Sequence, residues 1–261
     1  MKLKSIDLGG LSVTRLLGGG NPVSGYSHQG SERSKEMLDY YTTENVKRYF
    51  RECENNGIDA VCLRTDEHIV RVLREYWNEG GKLKWVAQAT SEMNNVIRGI
   101  DIAYNNGASA VYLNGNEAAR LFKAGEEKEI FKSVEYAKKL GLPTGVAAHD
   151  PSNHLWMQNE GVGLDFHFLC LYNLSYSATL REEVDKAFRP SDRALALKAA
   201  AQLKKPCLFF KILAAGRLTI DEALSDIKTV LKPKDGFVIG IFLNDGPDLI
   251  KKNVEAISAL D

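Results

Sequence analysis

The chain has 261 residues, 44% of them hydrophobic, enough for one large core or two small ones. Thirty-four lysines and arginines balance thirty-four aspartates and glutamates, and basic residues cluster only in pairs such as Lys138-Lys139 and Lys251-Lys252. No overall field therefore favours nucleic acid or an anionic membrane surface, and a partner of either kind is not expected.

The opening, MKLKSIDLGG, has no apolar signal core, and no later run reaches the length of a membrane span. Cys53, Cys62, Cys170 and Cys207 are widely spaced and form no CxxC pair. That usage suits free thiols in a reducing compartment, so a cytoplasmic protein is expected.

Along the chain, short apolar or β-branched runs alternate with segments of helical period. The runs are SVTRLLGG, GIDAVCLR, KLKWVAQAT, ASAVYLNG, LPTGVAAH, LDFHFLCLYN, KPCLFFKIL and DGFVIGIFLN. Between them lie TTENVKRYFRECENNG, EHIVRVLREYWNEGG, NNVIRGIDIAYNNG, EIFKSVEYAKKLG, RALALKAAAQLKK, TIDEALSDIKTVL and PDLIKKNVEAISAL. Many of these helices stop at glycine, and the next strand follows within a few residues. Strands apolar on both faces, alternating with amphipathic helices, indicate a parallel sheet covered by helices. Eight of them fit a single (β/α)8 TIM barrel over residues 1–261 better than an open doubly wound sheet.

The first run ends in RLLGGGNP at 15–22. It lacks G-x-G-x-x-G spacing and leads into a loop rather than a helix start, so it is not a dinucleotide fingerprint. The glycines either let the strand end lie close to a ligand or make a tight turn. The helix-free stretch VSGYSHQGSERSK that follows makes residues 23–41 a candidate lid.

Barrel chemistry sits at the C-terminal strand ends. Those ends carry Asn21, Arg64 and Asp66, Gln88, Asn114, His149 and Asp150, then Cys170, Tyr172 and Asn173, Lys211, and Asn244. His149 at a strand end suits a general acid or base. The i, i+5 spacing to His154 across Pro151 is no metal pattern, and Asp150 before Pro-Ser reads equally as a helix cap. Lys211 in CLFFKIL is either a desolvated nucleophilic amine or a lysine paired with Asp66 or Asp150. Arg64 and Arg217 would add to an anion clamp. Cys170 reads as a buried filler thiol, or as a nucleophile if His149 lies close. Tyr26, Tyr40, Tyr41, Trp156 and Tyr176 either line a pocket or pack between helices and lid.

The segment IDLGGLSVTRLLGGGNP resembles the opening of aldo/keto reductases, an N-terminal β-hairpin (residues 1–11) closing the barrel floor followed by the first barrel strand. ENNGIDAVCLRTDEHIVRVLREY, FLCLYN, FFKILAAGRL and VIGIFLNDGPDLIKKNVEAI resemble the family's second, sixth, seventh and eighth strand regions, in that order. The resemblance implies a barrel that reduces carbonyls with NADPH, using a Tyr acid, a Lys, an Asp and a His. It also implies cofactor contacts near Gly216 and Asn244, where the loops after strands seven and eight have small residues and free amides.

The catalytic pattern departs from that expectation. Strand two ends in Arg64-Thr65-Asp66, strand three in Gln88-Ala89-Thr90 where the Lys would stand, and strand four in Asn114 where the His would stand. His149-Asp150 replaces the family's Ser-Asn pair, and Cys170 its Gln. The sequence therefore suggests a divergent barrel acting on a small polar or anionic metabolite by non-redox chemistry. His149, Lys211 and Asp66 are the catalytic candidates. Arg64, Gln88, Asn114, Asp150, Cys170, Tyr172, Asn173 and Arg217 would bind substrate, and Asn244 and Gly216 a cofactor. NADPH-dependent reduction with a rearranged acid, Tyr172 or Tyr26, and a non-catalytic metabolite-binding barrel are the alternatives.

Overall fold

Eight parallel strands close into a barrel in a computed structural model that describes residues 2–90, 95–174 and 187–260. The strands are β3 (Leu16–Gly19), β4 (Ala60–Arg64), β5 (Lys84–Ala89), β6 (Ala110–Leu113), β7 (Thr144–Ala148), β8 (Phe166–Cys170), β9 (Cys207–Phe210) and β10 (Gly236–Gly240). Each pairs with its successor in sequence, and β10 closes on β3 with Phe237 opposite Leu16 and Gly240 opposite Gly19. Successive side chains point to opposite faces, so each strand feeds two cores. Ala60, Cys62, Val86, Ala110, Tyr112, Phe168 and Leu208 fill the barrel interior. Val61, Leu63, Trp85, Ala87, Leu113, Phe209 and Ile239 face the helices. Trp85, fully buried there, still satisfies its indole by donating Nε1–H to the Leu63 carbonyl at 3.0 Å.

An antiparallel hairpin, β1 (Ser5–Asp7) with β2 (Ser12–Thr14), turns through Gly9 and Gly10, both at positive φ. Its Ile6, Leu8 and Val13 join the interior cluster, so it plugs the barrel at the N-terminal end of the strands. The hairpin runs three residues beyond the expected boundary, and SVTRLLGG is two strands rather than one. Arg15 divides them, 3% exposed, donating Nε–H to the Asp235 carbonyl and Nη2–H to the Lys232 carbonyl, both at 3.0 Å. Asp59 then holds β2 to the barrel by accepting from the Thr14 amide at 2.6 Å and pairing with Lys84.

The outer layer consists of α1 (Ser31–Tyr40), α2 (Thr43–Asn55), α3 (Glu67–Asn78), α4 (Val96–Asn105), α5 (Gly115–Ala124), α6 (Lys128–Lys139), α7 (Pro151–Asn159), α8 (Pro190–Gln202), α9 (Ile220–Ile227) and α10 (Leu249–Ser258). Several start on side-chain caps. Thr42 accepts from the Asn45 amide, and Thr219 with Glu222 forms a reciprocal capping box on α9. Three helices go beyond the segments read from periodicity. The lid segment is not helix-free, because α1 occupies its second half. That helix buries only Met37, which leaves no apolar stripe to read, and is laced instead by Arg33–Glu36 and Lys35–Asp39 pairs. α5 and α7 start on Asn114 and Asp150 immediately beyond their strands. None of the described helices is long and apolar enough to cross a membrane. All four cysteines are free and buried.

Candidate active site

The alternation that fills the barrel also decides what reaches its mouth. Two residues beyond the inward Cys62, Val86, Tyr112 and Ala147 come Arg64, Gln88, Asn114 and His149, and all four line one cavity of about 1270 Å³ at the C-terminal strand ends. Its floor is an aromatic layer. Tyr112 and Phe168 stack with centroids 4.0 Å apart, and Phe210 leans on Phe168 at 4.9 Å.

Lys211 breaks the alternation productively. Phe210 points inward, so an extended Lys211 would point out. Instead it takes φ 57°, a conformation that costs an L-residue with a Cβ, and its Nζ comes to lie 5.8 Å from the Phe210 ring centre. There Nζ is 3.5 Å from His149 Nε2. Among the described residues Lys211 makes no ion pair, and burial holds its amine below the usual lysine range. The expected pairing with Asp66 or Asp150 is absent. Asp66 caps α3, accepting from the Ile69 amide at 2.9 Å, and lies near Arg64 at 3.5 Å rather than in the cavity. Asp150 lines the cavity rim while capping α7 through the Ser152 amide and hydroxyl.

His149 is 7% exposed, and burial, followed by the nearby Lys211 and His28, keeps its imidazole neutral well below the usual histidine range. Its Nδ1 is buried and has no hydrogen-bond partner among the described residues. His28, not singled out in the sequence, is the second imidazole of the site. It lines the cavity at φ 54° and is held to about 3 by burial and by the positive charges of Lys211 and Arg217. No spacing pattern signals it, because a lid loop brings it in. Tyr112 was also missed, although its inward register in AVYLN was readable; burial pushes its phenol up, and the phenol stays a proton donor.

The 23–41 segment is strapped over the mouth. Gln29 Nε2 donates to the Ala215 carbonyl, Arg217 Nη2 donates to the His28 carbonyl at 3.2 Å, and Arg33 pairs with Asp245 while lying 4.6 Å from the Phe242 ring centre. Tyr26 lines the cavity beneath the Arg64 guanidinium, 5.3 Å away.

Apart from Gly216, the other candidates fall outside the cavity. Arg217 stacks 4.6 Å over Phe188 and donates to the Ala214 and His28 carbonyls, so it fastens the strap. Cys170 turns outward into the helix-facing core, and its thiol, pushed up by burial, only senses Lys211 from behind. Tyr172 is buried against Phe188 with its hydroxyl 3.4 Å from Arg193, which is bidentate to Asp226. The Asn173 amide donates to Asp192 at 3.3 Å. Gly216 lines the cavity, with Gln29 Nε2 3.0 Å from where a Cβ would stand, whereas Asn244 is exposed beside it. His154 lies behind the wall with Nδ1 3.1 Å from His167 Nδ1, both buried. Tyr40 and Tyr41 pack on Phe242, and Trp156 on Phe122 and Phe131, so these rings pack between helices; Tyr176 lies outside the described residues. Among the described residues no cluster of three or more metal-ligating side chains occurs.

No protein-family model matches the chain, and no curated protein matches it. Solved structures do. A proposed aldo-keto reductase from Pseudomonas aeruginosa superposes with TM-score 0.61 at 15% identity, over 98% of this chain and 94% of that one. An aldo-keto reductase from Bacillus halodurans gives 0.59 at 11%, over 98% and 91%. The 3-hexulose-6-phosphate synthase from Salmonella typhimurium gives 0.58 at 14%, over 95% and 98%. At such identities the shared property is the fold. The chain is a (β/α)8 barrel with a hairpin at its floor, similar in fold to aldo-keto reductases and to a 3-hexulose-6-phosphate synthase alike.

Proposed function

We infer that this protein is a non-redox enzyme acting on a small polar or anionic carbonyl compound, with Lys211 as its amine nucleophile. One observation carries the reading: a desolvated lysine without an ion-pair partner among the described residues, held at φ 57° with its Nζ 3.5 Å from a neutral imidazole inside the cavity. Burial of an unpaired ammonium is costly, which favours the neutral, nucleophilic amine. Backbone strain at a side chain aimed into a cavity supports the same reading. Arg64 on the cavity wall would anchor an anionic group, with Gln88 and Asn114 binding neighbouring hydroxyls or carbonyls.

The resemblance to aldo/keto reductases is then one of a divergent member without the family's tetrad. Gln88 and Asn114 stand at the ends of β5 and β6, and Asp66 is a helix cap. A dinucleotide fits this arrangement poorly. The strap is fastened to the loop after β9 by Gln29 on Ala215 and to the loop after β10 by Arg33 on Asp245, and Asn244 is exposed. Titration calorimetry with NADPH is therefore expected to show no saturable binding, and tight binding would turn the reading toward carbonyl reduction.

The direct test is borohydride trapping. Full-length protein is incubated with sodium borohydride and single members of a panel of keto acids, aldoses and phosphorylated sugars, then weighed intact and mapped by peptide mass spectrometry. A reduced adduct on Lys211 with a subset of the panel is expected. Adducts spread over surface lysines alone, or none, would overturn the reading.

A further inference from the structure

We propose that His149 is held as its Nε2–H tautomer and serves as the hydrogen-bond donor to the substrate's carbonyl oxygen, not as the general base; this rests on the Lys211 reading above. The geometry begins at Gly115, the first residue of α5. A Cβ built there would lie 3.3 Å from His149 Cε1 and 3.5 Å from Nδ1. The Nδ1 edge thus faces the amino end of α5, and Nδ1 is buried with no partner among the described residues. Helix amino ends carry partial positive charge and outward N–H groups. A bare Nδ1 lone pair suits the positive end of a helix, and an unpartnered buried acceptor is commoner than an orphaned buried N–H. The ring proton therefore belongs on Nε2, the nitrogen beside Lys211.

The groups facing the ring agree. Lys211 reaches it from the loop after β9, His28 from the strap, and His154 from α7, and none is acidic. Asp150, the next residue, spends its carboxylate on Ser152. Among the described residues nothing near His149 rewards a positive imidazolium, so it acts as a neutral donor.

The 3.5 Å between Nε2 and Nζ then acquires a chemical meaning. When the Nζ lone pair forms a bond to a carbonyl carbon, the C=O π pair moves to oxygen. That oxygen is attached to the same carbon as Nζ, so a donor 3.5 Å from Nζ lies within reach of it. Nε2–H holds the oxygen as its charge develops, without giving up its proton. Both Nζ protons end on the oxygen, which leaves as water while the nitrogen lone pair completes the C=N bond. His149 would be a catalytic residue by direct contact, and Gly115 a positioning residue acting through it.

Two arms test this. Protein labelled with ¹⁵N-histidine, with His149 assigned by its loss in His149→Gln, is followed by long-range ¹H–¹⁵N correlation from pH 5 to 8. A pyrrole-type Nε2 and a pyridine-type Nδ1, unchanged across the range, are expected; the reverse pattern or a titrating ring overturns the tautomer. In the second arm, borohydride trapping rates are compared. His149→Gln keeps an N–H near the Nε2 position and should trap within about tenfold of wild type, whereas His149→Ala should slow by about 10²-fold or more. Equal rates for the two variants overturn the donor role. Failure of wild-type trapping alongside the expected nitrogen pattern overturns the Lys211 reading and this role together. Trapping with the reversed pattern overturns only the present inference.

Discussion

At the scale of single residues, the site is marked by departures from local rules. Lys211 is an L-residue at positive φ and a buried amine with no ion-pair partner among the described residues. Asparagine tolerates the left-handed region better than lysine does. Lys211→Asn is therefore expected to abolish borohydride trapping while leaving the urea midpoint equal to or above wild type. A fall in stability would mean that the lysine is structural. Asp66→Ala gives the complementary outcome, a loss of about 1 kcal/mol from the missing cap with trapping unchanged. Arg64 and Gln88 could be found in the sequence because alternation along a strand is regular. Asp66 and Cys170 could not be placed there, since whether a polar strand-end residue faces the mouth or caps a helix depends on where the strand stops.

The histidines supply a pH dependence. His154 is held to about 4 and His28 to about 3, both chiefly by burial, against about 6.5 when unfolded. As pH falls below 6.5 the unfolded chain takes up protons that the folded one refuses, so stability drops with falling pH and levels off for each group below its folded value. For fully buried His154 the loss by pH 4 is on the order of 3 kcal/mol. Urea midpoints measured from pH 7 to 4 should fall for wild type and fall less steeply for His154→Leu.

At the scale of elements, most strands and helices were legible because they repeat one rule, two-faced apolar strands followed by amphipathic helices. Those that escaped had other causes of order. α1 is stabilised by charge pairs and by its role as a strap, not by an apolar stripe. α5 and α7 begin on the same Asn114 and Asp150 that read as site residues. The hairpin extends to Thr14 because Arg15, a cation in an apolar run, finds two backbone carbonyls. Gln29 from the strap and Arg217 from the loop after β9 each provide a hydrogen bond between the two. The double substitution Gln29→Ala with Arg217→Ala should raise amide hydrogen exchange across residues 26–40 while leaving β4–β7 protected. Unchanged exchange would show that Arg33 and Asp245 hold the strap unaided.

At the scale of the whole molecule, the plug and the candidate site sit at opposite ends of one barrel. The hairpin plug closes the end where the strands begin, and the cavity opens where they finish. Leu8, fully buried in the plug, should cost about 2–5 kcal/mol when replaced by alanine, read as a lowered urea midpoint, with trapping at Lys211 unaffected. The architecture was readable from eight runs in order. The chemistry was only half readable, because His28 arrives on a loop and Lys211 by a single dihedral angle, neither of which leaves a periodic trace.

The four cysteines extend this division into time. Each thiol is enclosed in a different part of the structure: Cys53 in α2, Cys62 in β4, Cys170 in β8 and Cys207 in β9. Burial pushes all of them up, Cys53 and Cys207 to about 12, so hardly any thiolate is available near neutral pH. A thiol reagent can react with the native protein only after the surrounding segment has opened. The order in which the four become labelled would therefore be a schedule of how the barrel comes apart, kept by the molecule itself.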